Sequence, residues 1–288
     1  MSERQAAAAQ PDSDVSDPHC NLRGQKVGLF VTCLVDLMRP SIGFAAIRLL
    51  EACGCDVVVP DGQTCCGQPA FNAGDTTNAR ALLLQVAAQF SDVPFVVVPS
   101  GSCAGMLVAH VDDLFPDGDP DRAEAIALAA KTHELTAFLV DVCGRTDFAA
   151  RFEGIVTYHD SCAGLRELGV KTQPRALLAE VDGATLSEMT DCEVCCGFGG
   201  TFAVKYPEVS NAIVEKKTAH VADADADLLL AGDLGCLMNM AGKLQREGRR
   251  TDVRHIAEVL AGELDAAPIG APSTGAPVTG TPADSQRG

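Results

Sequence analysis

The sequence contains no tryptophan, only two tyrosines and no apolar run long enough to cross a membrane. A transmembrane helix needs about 20 consecutive apolar residues, so we do not expect the chain to span a bilayer. The first residues also lack the apolar core of a secretory signal peptide. These absences predict a cytoplasmic protein, whose cysteines stay reduced or bind metal instead of forming a disulfide framework.

Positive charge is scarce as well. The 288 residues include 22 Lys and Arg against 39 Asp and Glu, which leaves a formal charge of −17. Such an acidic chain lacks the basic surface that phosphate groups require, which argues against binding to nucleic acid or to anionic lipid. Apolar residues still make up 47% of the chain, which is enough for a substantial core.

Recognisable cofactor motifs are missing too. No G-x-G-x-x-G follows a predicted strand, no P-loop is present, and no C-x2-C-x2-C-x3-C-P ferredoxin run occurs. The sequence therefore offers no visible flavin or nicotinamide site, and electrons handled by this chain are expected to come from a partner protein or pass to one. What the chain does contain is 13 cysteines, and these are the candidate functional residues.

Eight of the cysteines fall into two sets with nearly the same spacing. The first set is Cys33, Cys65, Cys66 and Cys103, and the second set is Cys162, Cys195, Cys196 and Cys236. Equivalent positions are 129, 130, 130 and 133 residues apart, which indicates an internal duplication.

The duplication predicts two α/β lobes. We place the first cysteine-rich lobe at 26–150 and the second at 151–264, each a parallel-sheet layer with covering helices. The flanking segments 1–25 and 265–288 are polar or rich in Pro, Gly, Ala and Thr, and they predict disordered tails.

Local patterns support this alternation of strands and helices in the first lobe. Lys26–Val31 and Phe95–Val98 are short apolar runs that predict strands, and Asp75 is a candidate N-cap for a helix. Pro40–Cys53 predicts a helix. The apolar positions expected on its core face are Phe44, Ile47 and Leu50.

The cysteines follow predicted strands or lie in the loops just beyond them. Because the carboxyl ends of parallel strands share one edge of a sheet, three loops can bring four sulfurs to one point at that edge. Four converging thiolates suit an iron–sulfur cluster or zinc. Two adjacent cysteines in each set, Cys65–Cys66 and Cys195–Cys196, form a vicinal pair that a glycine follows. Gly67 and Gly197 favour a cluster, because backbone amides can then approach its sulfides.

Alternatives to a cluster remain at this point. Structural zinc sites usually use two short C-x2–4-C knuckles, whereas here C-x-x-C occurs only as Cys192–Cys195. A zinc-bound or metal-free scaffold, or a redox-active disulfide, are the competing interpretations. His159, close to Cys162, could tune a cluster or simply end a strand. The cysteines without a counterpart in the other copy predict small buried side chains: Cys53, Cys55 and Cys143.

Five strings of residues carry a resemblance to a known family. They are CCGQPAFNAGD (65–75), SGSCAGM (100–106), HDSCAGLRELG (159–169), CCGFGGTF (195–202) and GCLMNMAG (235–242). The duplicated pattern resembles the cysteine-rich CCG-domain family, which includes the cysteine-rich component of heterodisulfide reductase and the iron–sulfur component of glycolate oxidase. Within this family the strings are most similar to the proteins of lactate utilization.

The resemblance implies a function. Family members of this kind belong to a complex that oxidises L-lactate to pyruvate and is required for growth on lactate, together with a ferredoxin-type B-like subunit and a C-like subunit. The two cysteine sets would then hold iron–sulfur clusters of the [4Fe–4S] type, one per lobe or in at least one lobe. Because electrons must leave by a short path, we expect partners to contact the rim around the cysteine loops, with the Gly-rich stretches 197–201 and 101–106 as its candidates.

One departure from the family bears on chemistry. In the cysteine-rich component of heterodisulfide reductase each copy ends in C-x-x-C, whereas the corresponding positions here are Met106 and Asn239. The missing fifth cysteine argues against disulfide-reducing chemistry, and a protein acting on thiols or disulfides stays as the alternative that the resemblance offers to a lactate-oxidising one.

Overall fold

The computed structural model describes residues 22–271. The remainder of both predicted tails, 1–21 and 272–288, lies outside the described residues. Residues 265–271, which the sequence assigns to the C-terminal tail, return to the second lobe, where the Ile269 amide donates to the carbonyl of Val253 at 2.8 Å. Among the described residues, no helix has both the length and the apolar character needed to cross a membrane.

The first lobe alternates strands and helices around a four-stranded sheet. Its elements are β1 (Lys26–Leu29), α1 (Cys33–Met38), α2 (Pro40–Ala52), β2 (Asp56–Val58), α3 (Gln68–Asn72), α4 (Thr76–Gln89), β3 (Phe95–Val98), α5 (Gly101–Ala109), α6 (Val111–Leu114), α7 (Arg122–Ala130), β4 (Thr132–Glu134), α8 (Leu135–Ala137) and a π-helical turn (Phe138–Val142). Asp75 caps α4 as predicted, since its carboxylate accepts the amide of Asn78 at 3.1 Å.

The second lobe repeats this arrangement with fewer helices. Its elements are β5 (Arg151–Tyr158), α9 (Cys162–Leu168), α10 (Thr172–Ala179), β6 (Asp182–Leu186), α11 (Phe202–Lys205), α12 (Pro207–Asp223), β7 (Leu228–Ala231), α13 (Leu234–Arg246), β8 (Asp252–His255) and α14 (Ile256–Leu260).

The two sheets have the same topology. The strand orders are β2-β1-β3-β4 and β6-β5-β7-β8, and every neighbouring pair is parallel. The predicted fold, two duplicated α/β lobes with parallel sheets, is confirmed. Within each lobe the strands that precede the cysteines are three neighbours in the sheet, so their carboxyl ends open on one shared edge.

One residue of a predicted helix face is misplaced. Helix α2 begins at Pro40 as expected, Leu50 is buried and Ile47 packs against the core, but Phe44 is 61% exposed. The side chains that α2 buries are Ile42, Ala45, Ala46, Leu49 and Leu50. The two alanines let the helix lie close to its neighbours, among them α14 of the other lobe, and this turns the larger Phe44 outward.

The lobes share a core. One apolar cluster joins Leu29 and Val97 of the first sheet to Val156 and Leu228 of the second. Burial of apolar surface from both lobes in one cluster stabilises their contact and fixes their relative position.

Helix α5 crosses α9 at close range between the lobes. A Cβ at Gly101 would come within 2.5 Å of Ser161 Oγ and 3.0 Å of Gly164 Cα, so only glycine fits there. The Gly101 amide also donates to the carbonyl of Gly232 at 3.1 Å. The stretch 101–106 is mostly buried, partly against the second lobe and partly in the core of the first lobe, so its predicted role as part of an exposed rim is wrong.

Candidate metal centre

The first cysteine set gathers at the carboxyl edge of its sheet. Cys33 is the first residue of α1, just beyond β1, and Cys103 lies in the first turn of α5, just beyond β3. Cys65 and Cys66 lie in the loop between β2 and α3. Each of three adjacent strands thus leads into a segment that carries a cysteine.

Thiol contacts link the four residues of the first set in a row. Cys65 contacts Cys33 on one side and Cys66 on the other, and Cys66 also contacts Cys103. Hydrogen bonds from the thiols of Cys33 and Cys66 lower the pKa of Cys65 to about 2. The same contacts, together with burial, raise the pKa of the Cys33 and Cys66 thiols above their usual range.

The second set repeats this arrangement. Cys195 contacts Cys162 and Cys196, Cys196 contacts Cys236, and the pKa of Cys195 falls to about 2 for the same reason. All eight cysteines predicted from the sequence are thus brought together, four in each lobe.

Glycines direct backbone amides at the sulfurs. The Gly67 amide donates to Cys65 Sγ at 3.4 Å, and the Gly197 amide donates to Cys195 Sγ at 3.3 Å. Both glycines have a left-handed backbone, with φ of +94° and +85°. A Cβ at Gly197 would also lie 2.8 Å from the carbonyl oxygen of Ser210. The turn after each vicinal pair therefore requires glycine.

Comparison with known proteins agrees with the duplication. The family model for CCG, a cysteine-rich domain, matches residues 27–108 and 156–241, one segment in each lobe. Lactate utilization protein A of Oceanobacillus iheyensis is 47% identical over 236 residues, which cover 82% of this chain and 96% of that protein. The protein of the same name from Geobacillus kaustophilus is 49% identical over 236 residues, or 82% and 98%. The chain belongs to the lactate utilization protein A family.

A solved structure shares the fold of this family member. A hypothetical protein from Helicobacter pylori aligns with 84% of this chain and 49% of its own length, with a TM-score of 0.57 and 13% identity. At that identity the likeness concerns the fold alone.

A carboxylate that the sequence analysis missed joins the two centres of this CCG protein. Asp233 precedes α13, and its Oδ1 accepts the amide of Cys236 at 3.3 Å. Its Oδ2 accepts the amide of Ser102 at 2.9 Å and the hydroxyl of Ser100 at 3.1 Å. Ser100 in turn accepts the amide of Cys103 at 3.3 Å. The sequence feature that could have revealed Asp233 is an N-cap residue three positions before the last cysteine of each set, Ser100 before Cys103 and Asp233 before Cys236.

The first set faces a cavity of about 210 Å³ between the lobes. Its cysteines line one part of this cavity, and Phe198, Thr201 and Leu234 of the second lobe line another. A water molecule takes roughly 30 Å³ of liquid volume, so the cavity is far larger than a single ion or water requires.

The second set has a histidine beside it. The side chain of His159 is fully buried, and neither ring nitrogen has a hydrogen-bond partner within the described part of the chain. One of its nitrogens and the sulfurs of Cys196 and Cys236 all lie within 4.8 Å of one another. Burial lowers the pKa of His159 to about 4, so the imidazole is neutral near pH 7.

The remaining described cysteines lie elsewhere. Cys53, Cys55 and Cys143 are buried in the shared core, where Cys143 contacts the other two thiols. Their predicted role as small apolar side chains agrees with this position. Cys192 lies 3.9 Å from the guanidinium of Arg175 and does not join the thiol contacts of the second set.

The donor set fits an iron–sulfur cluster. Each lobe offers four thiols in contact, a backbone amide directed at one sulfur, and glycine at the point of closest approach. Thiolates are the ligands that such clusters use, and amide hydrogen bonds to sulfur tune them.

Proposed function

We propose that this protein is the iron–sulfur component of a cytoplasmic, multi-subunit complex that oxidises L-lactate to pyruvate. The observation that carries the proposal is the pair of matching four-thiol sets at the carboxyl edges of two duplicated sheets. We assign the ligand role to Cys33, Cys65, Cys66 and Cys103 in one lobe and to Cys162, Cys195, Cys196 and Cys236 in the other.

The spread of the sulfurs favours a cluster over zinc. Four sulfurs bound to one zinc at about 2.3 Å would lie roughly 3.8 Å apart. Within residues 22–271, the groups of three ligand atoms that all lie within 4.8 Å of one another are His159–Cys196–Cys236 and Asp160–Cys192–Glu193. Neither group contains three sulfurs of one set, so no three sulfurs of a set have the close spacing of an all-cysteine zinc site.

A [4Fe–4S] cluster in a lobe would supply one-electron transfer. The chain's own residues would hold and shield it. The cysteines would bind it, the Gly67 and Gly197 amides would donate to the sulfurs of Cys65 and Cys195, and Asp233 would fix the helix starts that carry Cys103 and Cys236.

The substrate assignment rests on the relatives. Proteins named lactate utilization protein A match this chain over nearly their whole length. Lactate loses two electrons and two protons on oxidation to pyruvate, whereas a cluster usually accepts one electron at a time. We therefore propose that a ferredoxin-type B-like subunit and a C-like subunit complete the complex.

A surface next to the second set suits such a partner. The stretch 197–201 leads directly into α11, and the apolar side chains that follow are exposed: Val204 by 82%, Tyr206 by 58% and Val209 by 52%. Apolar residues grouped in this way on a surface are typical of a protein interface. A partner bound here would lie beside the vicinal pair Cys195–Cys196.

The alternative, a protein acting on thiols or disulfides, gains no support from the positions that depart from that pattern. Met106 is fully buried in the core of the first lobe. The side-chain amide of Asn239 donates to the carbonyl of Cys196 at 2.9 Å and so braces the vicinal-pair loop. Neither position supplies a further thiol.

The test is lactate-dependent reduction of an artificial electron acceptor by the chain assembled with its B-like and C-like partners. The wild-type complex should turn over, and the double variant Cys66→Ser/Cys196→Ser should assemble but lose turnover. Full turnover by a complex containing the double variant would overturn the proposal.

A further inference from the structure

The position of His159 is set by the backbone of the second sheet. Directly after β5, its amide donates to the carbonyl of Leu230 at 2.8 Å. This bond extends the ladder between β5 and β7 by one residue. The side chain is thereby fixed toward the second cysteine set, where a ring nitrogen lies within 4.8 Å of the sulfurs of Cys196 and Cys236.

The first lobe has a phenyl ring at the equivalent position. The Phe30 amide donates to the carbonyl of Val97 at 3.0 Å, just as His159 does to Leu230. The Phe30 ring packs edge-on against Phe90, with ring centroids 6.1 Å apart. An apolar ring therefore satisfies the fold at this point, and the imidazole of the second lobe is not needed for packing alone.

The imidazole of His159 has no hydrogen-bond partner among the described residues. Both ring nitrogens are buried and without a hydrogen bond. A buried polar group without a partner is costly, so such groups in native proteins usually have a bound ion, water or ligand beside them. Neutral imidazole is a common ligand for iron and zinc, and it occurs together with cysteine sulfur in both kinds of site.

We propose that a ring nitrogen of His159 binds the metal held by the second cysteine set, next to Cys196 and Cys236. The inference rests on the proposed function only in that this set holds a metal. The two centres are then different: the second has a neutral nitrogen donor, whereas the first has the phenyl ring of Phe30 at that position. Because ligand type helps to set the potential of a cluster, the two centres also differ in potential.

Pulsed electron paramagnetic resonance of the reduced protein, grown with ¹⁵N-histidine, tests this directly. The variant Cys66→Ser removes the first centre and should keep the ¹⁵N coupling of the second. His159→Phe, which copies the first lobe, should lose the coupling, as should His159→Gln, which keeps a polar side chain. His220→Gln, which removes another histidine of the second lobe, should retain it.

Metal analysis separates the possible failures. Bound iron with no ¹⁵N-histidine coupling, or a coupling that survives in folded His159→Phe and His159→Gln, would overturn the inference and leave the proposed function standing. If the metal is zinc, the proposed function fails. X-ray absorption then tests the inference separately: loss of a nitrogen neighbour of zinc in His159→Phe and His159→Gln supports it, and retention of that neighbour overturns it. Absence of any bound metal after anaerobic preparation would overturn both.

Discussion

Gly197 shows how a single residue shapes the second centre. Its φ of +85° is unfavourable for any residue with a Cβ, and that Cβ would lie 2.8 Å from the carbonyl oxygen of Ser210. We expect Gly197→Ala to shift the vicinal-pair loop, withdraw the amide from Cys195 Sγ and reduce the iron bound by the second lobe. Iron content and the free energy of unfolding measure the two effects.

Gly248→Ala is the matched control. Gly248 also has a positive φ, +66°, but a Cβ there would meet nothing within 4 Å. Gly248→Ala should lower the free energy of unfolding by the backbone strain alone, about 1–2 kcal/mol, and leave the iron content unchanged. If Gly197→Ala behaves in the same way as Gly248→Ala, the close approach at Gly197 does not matter to the centre.

The sequence alone identifies the eight clustered cysteines but only part of what surrounds them. The cysteines are visible because the duplication repeats their spacing. The bond from the Ser102 amide to Asp233 joins residues 131 positions apart in different lobes, so no local pattern could reveal it. His159 stands out in the sequence beside Cys162, but its burial and unpartnered nitrogens depend on tertiary packing.

At the scale of elements, Asp233 connects the start of α13 to the start of α5. It is buried, and it accepts from the amides of Cys236 and Ser102 and from the hydroxyl of Ser100. Removal of the carboxylate leaves these buried donors without a partner. We expect Asp233→Ala to lower the free energy of unfolding by about 2–3 kcal/mol, measured by urea denaturation.

Asp75→Ala provides the comparison for that loss. Asp75 is also an N-cap, but it is exposed and accepts the amide of Asn78 within its own helix. Its replacement should cost about 1 kcal/mol. Equal losses in the two variants would mean that Asp233 acts as an ordinary cap and does not join the lobes.

Glu134, at the end of β4, predicts a pH dependence of stability. Burial raises its pKa from the usual 4.5 to about 7, although Thr136 and the amide of Ala137 donate to it. Folding therefore favours the protonated carboxyl. The contribution of Glu134 to the free energy of unfolding is fully present below pH 4.5. It falls by about 3 kcal/mol as the pH rises to 7 and above, because the folded protein must then hold a buried charge.

The measurement is the urea midpoint at a series of pH values for the wild type and Glu134→Gln. Glutamine cannot ionise, so the variant should lose most of this decline and be the more stable protein at about pH 8. A wild type and variant with parallel pH profiles would show that Glu134 does not titrate in this range.

Elements differ in how well a sequence predicts them. The strand Phe95–Val98 is predicted with its bounds, because a continuous β-branched run ends at a proline. Helix α2 is predicted from its N-terminal proline, and its buried Leu50 from the apolar spacing, but the exposure of Phe44 is not, because small alanines face the core in its place. Strand β4 has three residues, too few to show a period, and is defined only by its pairing with β3.

The whole molecule should depend on partners for activity. An iron–sulfur cluster held by the thiols would transfer one electron at a time, whereas lactate oxidation removes two electrons. The purified, cluster-replete chain should therefore show no lactate-dependent reduction of an artificial acceptor and should gain this activity with the B-like and C-like subunits. Robust turnover by the chain alone would show that it contains a complete active site.

Iron and acid-labile sulfide analysis after anaerobic purification decides whether this duplicated fold holds iron–sulfur centres. We expect equal amounts of iron and sulfide in the wild type and a loss of about half in Cys66→Ser and in Cys196→Ser, because serine keeps the size but not the soft thiolate. Cys53→Ser, in the shared core, should retain all of the iron and sulfide. A colourless protein that holds zinc or no metal, or full iron content in both ligand variants, would show that the cysteine sets do not hold iron–sulfur clusters.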